Sequence, residues 1–166
     1  MGKSCKYYLR GVGICSAKLV KFRRIFDSLM AKFTTSYLGQ LRCANIHTQS
    51  GTLIHTDAPS DNMGKGEAFS PTDLCALSLT TCIVTTMGIY AQSREFSITS
   101  IEADTWKHMA TDPRRIAKIE AEIRITLPPE STERQREGLR RVVHTCPVSK
   151  SLHPDLIQDV RIVFAD

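Results

Sequence analysis

Six cysteines supply the most reactive side chains of this sequence: Cys5, Cys15, Cys43, Cys75, Cys82 and Cys146. They are too scattered for the disulfide framework of a small secreted domain, and no CxxC pair occurs. An export signal needs an unbroken apolar stretch, and Lys18, Lys21, Arg23 and Arg24 interrupt every candidate, so the expected location is the cytoplasm. In such a reducing compartment, a cysteine pair that does form a disulfide is more often catalytic or redox-sensing than structural.

Two of the six stand out. Pro147 directly follows Cys146, which makes Cys146 the expected N-cap of a short helical turn running through Val148, Ser149, Lys150 and Ser151. The positive end of such a turn favours a thiolate, and Lys150 and His144 add positive charge nearby. Cys82 lies in the middle of a long apolar segment, where a free cysteine ordinarily serves as a small buried hydrophobe. Cys75 precedes it by two helical turns, roughly 10 Å. A disulfide allows about 7 Å between Cα atoms, so a partner for Cys82 must come from elsewhere. The five histidines show no HExxH or other ligand spacing, and no GxSxG elbow is present, so neither a metal site nor a serine hydrolase is expected.

The elements that would hold these thiols can be read from the hydrophobic pattern. Loose alternation over residues 33–47, ended by Gly51 and resumed over 52–56, predicts a hairpin. Residues 57–66 collect Asp, Pro, Ser, Asn and Gly and predict a loop. Ser70, Pro71, Thr72 and Asp73 then place a hydroxyl at an N-cap, proline at N1 and a carboxylate at N3, which starts a helix. The stretch 74–90 carries no charge and has apolar or small residues on every side, the pattern of a central helix buried all round. It is short for a membrane span and holds Ser78 with four threonines, so no membrane span is expected.

Residues 98–108 and 117–127 read as two antiparallel strands joined at Asp112-Pro113. In the second, Ile119, Ala121, Ile123, Ile125 and Leu127 share one face. Pro128-Pro129 stops that strand. Thr132 and Gln135 form a capping box for a surface helix whose apolar side is Leu139, Val142 and Val143. A last strand covers 156–164.

With 166 residues, 42% hydrophobic and 23% charged, the chain suits one globular domain with its own core. Its formal charge of +5 is unevenly placed: seven basic residues against Asp27 give the first thirty residues +6 and leave −1 for the rest. A nearly neutral body lacks the footprint that a phosphate backbone selects for, so no nucleic acid is expected as a partner. Leu19, Phe22, Phe26 and Leu29 have near-helical spacing among the basic residues. Met30 follows them, and residues 1–30 read as a basic N-terminal extension outside a domain of residues 31–166.

The segments GKGEAFSPTDLCALSLTTC, ending at Cys82, and TCPVSKSLHPD, containing Cys146, closely resemble the OsmC/Ohr family of osmotically induced and organic hydroperoxide resistance proteins. The resemblance covers residues 31–166. It implies an α+β fold of the OsmC-like kind, with antiparallel strands, a buried central helix and a second helix, assembled as an intertwined homodimer. It also implies that Cys82 is the peroxidatic thiol and Cys146 the thiol that resolves it. The implied function is a thiol-dependent peroxidase reducing organic hydroperoxides or hydrogen peroxide, with no tightly bound cofactor and with an external dithiol reductant as partner. The alternative is an OsmC-fold redox sensor or small-molecule-binding protein with little turnover.

The chain departs from the family pattern before the central helix. Characterised peroxidases carry a glutamate directly after the proline of the helix cap, where this chain has Thr72. Asp73 lies about 180° from Cys82 around the helix and reads as a capping group. For the arginine that steadies the thiolate, Arg42 is the only candidate between Met30 and Cys82, and Glu67 and Lys65 are candidates to support it from the loop.

Overall fold

Positive backbone angles at Gly39 (φ 84°), Gln40 (50°) and Leu41 (63°) break the first extended run in two. The result, in a computed structural model that describes residues 31–165, is three strands where the alternation predicted two. They are β1 (Phe33–Gly39), β2 (Arg42–His47) and β3 (Leu53–Asp57), an antiparallel meander in chain order. Glycine adopts the left-handed region freely, and a two-residue connection with both φ positive matches the twist of a hairpin. That tight turn is what a loose alternation conceals. The basic extension, with its expected amphipathic helix, lies outside the described residues, as do Cys5 and Cys15.

A short 3₁₀ turn (Ser60–Asn62) crosses the expected loop, and helix α1 (Pro71–Ser93) follows. Its capping box forms as the sequence predicts: Ser70 Oγ accepts from the Asp73 N–H at 3.1 Å, and Asp73 accepts from the Ser70 N–H at 2.7 Å. Ala76, Leu79, Thr80, Ile83, Met87 and Ala91 form the buried stripe. The expectation of burial on every side fails within one chain. Leu77 is 39% and Ile89 60% exposed, and Thr81, Thr85 and Gly88 are exposed between them. By length and composition α1 would suffice to cross a membrane, but its buried stripe packs on β4 and α2 and makes it a core helix.

Strands β4 (Ser100–Thr111) and β5 (Arg114–Thr126) pair antiparallel around the Asp112-Pro113 turn, with Ala103 opposite Ile123. Ile119, Ala121, Ile123, Ile125 and Leu127 are buried, as their alternation requires. On the outer face, Lys118 pairs with Asp159 and Arg124 with Asp104. Helices α2 (Glu133–Val142) and α3 (Pro147–Ser151) lead to β6 (Ile157–Ala165), which runs parallel to β5. The antiparallel expectation therefore holds for β4 with β5 and fails for β6. A helical crossover returns the chain in its original direction, and only parallel pairing accommodates that.

The core gathers the α1 stripe, the inward face of β5, Leu139 and Val142 of α2, Cys146 and Leu156. Nothing from β1–β3 joins it. Leu79 is 0% exposed, so Leu79→Ala should destabilise the domain by about 2–5 kcal/mol. Urea unfolding should show this as a lower midpoint with an unchanged slope.

Candidate active site

α1 and the start of α3 bring Cys82 and Cys146 into hydrogen-bonding contact. Their surroundings push the two thiols in opposite directions. Burial raises Cys82, but the hydrogen bond with Cys146 and others from the Val148 backbone N–H and Thr86 outweigh it, so the Cys82 pKa falls below the ordinary cysteine value. Burial likewise raises Cys146, and its hydrogen bond to Cys82 raises it further. The N–H groups of Val148 and Ser149 offset this only in part. Cys146 is 0% exposed, whereas Cys82 is half-buried.

The Cys-Pro turn is where the sequence placed it, and its Val148 N–H serves the other sulfur as well. Cys146 is the N-cap residue of α3, and the Ser149 and Val148 N–H groups of that turn reach its sulfur without outweighing its burial. It keeps its proton and donates it to Cys82. This corrects the expectation that the turn would make Cys146 the thiolate. Full burial removes the water that a charged sulfur would need. Thr86, one turn beyond Cys82, donates its hydroxyl to the Cys82 carbonyl at 2.7 Å.

A second polar cluster clamps the start of α1. Lys107, reaching across from β4, donates to Asp73 Oδ1 at 2.6 Å and to Thr72 Oγ1 at 2.8 Å. Burial pushes Asp73 up, but the hydrogen bonds from Lys107 and Ser70 hold it below the usual carboxylate range. Asp73 is thus a capping and ion-pairing group. Lys107 carried no signal in the sequence beyond a basic residue within a strand.

Arg42 and Glu67 come together in a third cluster, where the Arg42 guanidinium binds Glu67 and also Asp57 Oδ2 at 3.2 Å. The Asp57 side chain is 0% exposed and also accepts the Glu67 N–H at 3.0 Å. That backbone bond is the largest influence lowering its pKa. Burial opposes it, and the Arg42 guanidinium assists. No hydrogen bond or ion pair among the described residues joins Arg42 or Glu67 to Cys82. Lys65 makes no such link either. In the sequence Asp57 reads as a loop residue; in the structure it ends β3 directly opposite Arg42 at the start of β2, a cross-strand register that the sequence did not reveal. Among the described residues no cluster of His, Cys, Asp or Glu could hold a metal ion.

The polarity of the thiol pair predicts its pH behaviour. A depressed pKa means that Cys82 is a thiolate above that value and loses reactivity as pH falls through it. In reduced protein, the rate of Cys82 alkylation by iodoacetamide, followed on its own peptide by mass spectrometry, should rise with pH and level off earlier than for an ordinary cysteine. Cys146→Ala removes the principal donor and should move that midpoint to higher pH. An unmoved midpoint would contradict the assigned polarity.

Comparison with known proteins bears on the whole described region. The family model for OsmC-like protein matches residues 64–158, while no curated protein matches the chain significantly. The crystal structure of a Psychrobacter arcticus protein, assigned to osmotic stress induction and detoxification response, is 46% identical with a TM-score of 0.73 and covers 81% of this chain and 96% of that one. An OsmC-like protein from Mycoplasma pneumoniae is 17% identical, with a TM-score of 0.68 and coverage of 82% and 98%. An organic hydroperoxide resistance protein OsmC from Legionella pneumophila is 15% identical, with a TM-score of 0.60 and coverage of 81% and 97%. The last two share the fold alone. The family model spans more than half of the sequence, both cysteine contexts lie inside it, and the chain belongs to the OsmC family of OsmC-like proteins.

Proposed function

We propose that the chain is a thiol-dependent peroxidase that reduces organic hydroperoxides or hydrogen peroxide with Cys82 as nucleophile and Cys146 as resolving thiol. The observation that carries the reading is the opposed polarity of the pair: a half-buried cysteine with lowered pKa beside a fully buried one with raised pKa. The Cys82 thiolate attacks the O–O bond, takes one oxygen as sulfenic acid and releases the alkoxide, which leaves as alcohol after protonation. The Cys146 sulfur then attacks Cys82, loses its proton and expels water to form the disulfide. An external dithiol reopens the disulfide by exchange and leaves oxidised. Four cysteines free among the described residues suit a reducing compartment such as the cytoplasm. Hydroperoxide resistance, named for structural relatives in Legionella pneumophila and Bacillus subtilis, agrees with this chemistry.

A redox sensor or small-molecule-binding protein with little turnover is favoured by one observation. Thr72, in place of the glutamate expected after Pro71, is engaged by Lys107, and Arg42 and Glu67 are engaged with each other. Stopped-flow mixing of reduced protein with cumene hydroperoxide decides between the readings. The peroxidase oxidises Cys82 rapidly over repeated turnovers with a dithiol, Cys82→Ser is silent, and one equivalent of peroxide yields a Cys82–Cys146 linked peptide. Equal rates in wild type and Cys82→Ser would overturn the peroxidase, and a single oxidation without turnover would select the sensor.

The reading includes a homodimer. Tyr37 (67% exposed), Leu38 (57%), Ile54 (45%) and Leu77 (39%) lie uncovered on the first sheet and α1, more apolar surface than a lone chain ordinarily shows to water. Sedimentation velocity at micromolar concentration should give twice the chain mass, and Leu77→Asp should shift the protein toward monomer.

A further inference from the structure

The cleft between α1 and α2 plays no part in the thiol chemistry, yet it collects positive charge without acid. It encloses about 700 Å³, and Arg94, Arg134 and Arg141 line it with no carboxylate among the lining residues. Arg94 stacks its guanidinium over the Tyr90 ring at 5.9 Å. Arg141 is held loosely by Glu137, 3.6 Å away and outside the cleft lining. Arg134 makes no hydrogen bond or ion pair among the described residues. Like charges gathered in one concavity repel each other and raise the local concentration of anions.

The floor is apolar. Ile89 and Tyr90 come from α1 and Val142 from α2. Tyr90 crosses to α2 where Gly138 leaves room for it: a Cβ there would stand 2.0 Å from the Tyr90 hydroxyl. Thr86, whose hydroxyl holds the Cys82 carbonyl, belongs to the same wall, so the cleft ends one helical turn from the thiol. At 1.5 Å per residue, the path along α1 from Cys82 to Arg94 is about 18 Å long.

We infer that this cleft is a binding site for an amphipathic carboxylate: guanidinium forks take the two carboxylate oxygens in plane, and the hydrocarbon lies along Ile89, Tyr90 and Val142. A phosphate would satisfy the arginines but leave the apolar floor unused. The site does not depend on the peroxidase reading, because binding needs no reaction at Cys82.

Isothermal titration of the reduced, full chain with octanoate tests it, with 1-octanol as the neutral analogue and inorganic phosphate as the anion without a tail. Octanoate should bind saturably at one site per chain and more tightly than either control. The double variant Arg94→Ala/Arg134→Ala should weaken it at least about tenfold, the effect of losing charge-assisted hydrogen bonds. Arg94→Lys/Arg134→Lys, which keeps charge and loses the planar fork, should fall between. The alanine variant should retain the wild-type Cys82 alkylation profile, which shows that it is folded. Octanoate bound equally by wild type and the alanine variant, octanol or phosphate bound as tightly as octanoate, or no saturable binding at all would overturn the site.

Discussion

The contact between Cys82 and Cys146 constrains every element around it. Cys82 sits at the middle of α1, so the helix must be anchored along the sheet and at its first turn for the sulfur to stay in place. Cys146 precedes α3, so α2 must end where the chain can turn and present that residue to α1. The crossover from β5 to β6 satisfies both demands, since α2 and α3 occupy the connection and lie over the face that α1 covers. The domain thus holds two residues 64 positions apart in hydrogen-bonding contact through packing alone, without a covalent link in the reduced state.

Much of this was legible in the residues. The clean alternation of β5 named its buried face, and the Ser70 and Thr132 boxes named two helix starts, because those signals are local and each is satisfied within a few residues. Non-local features were not legible. The reversal at Gly39–Leu41 depends on three positive φ angles that no alternation reveals, and the parallel pairing of β6 depends on the path of α2 and α3. The polarity of the thiols ran against the local rule: a helix start favours a thiolate at Cys146, but complete burial prevails there, and the Val148 N–H also reaches Cys82. Cys82, which read as core packing from its own surroundings, carries the lowered pKa chiefly because a partner distant in sequence reaches it.

The helix start shows how a substitution is absorbed. Thr72 brings a hydroxyl where family peroxidases place a carboxylate, and Lys107 meets it along with Asp73, so the local charge is balanced within the chain. Arg42 likewise finds both of its carboxylates, Asp57 and Glu67, on its own side of the fold. Two ion-pair networks therefore stabilise the flanks of α1, and the thiols draw their electrostatics from hydrogen bonds between sulfur, hydroxyl and backbone rather than from a nearby formal charge. Such dipolar support is less sensitive to ionic strength than an exposed ion pair.

The complete burial of Cys146 makes the pair one-sided toward anything arriving from solution. An incoming thiol, electrophile or oxidant meets the Cys82 sulfur first, so exchange with a linked pair has a built-in direction: the newcomer bonds to Cys82 and Cys146 departs inward as the leaving group. Its raised pKa makes that departure, and with it the formation of a mixed species on Cys82, slow compared with an ordinary thiol.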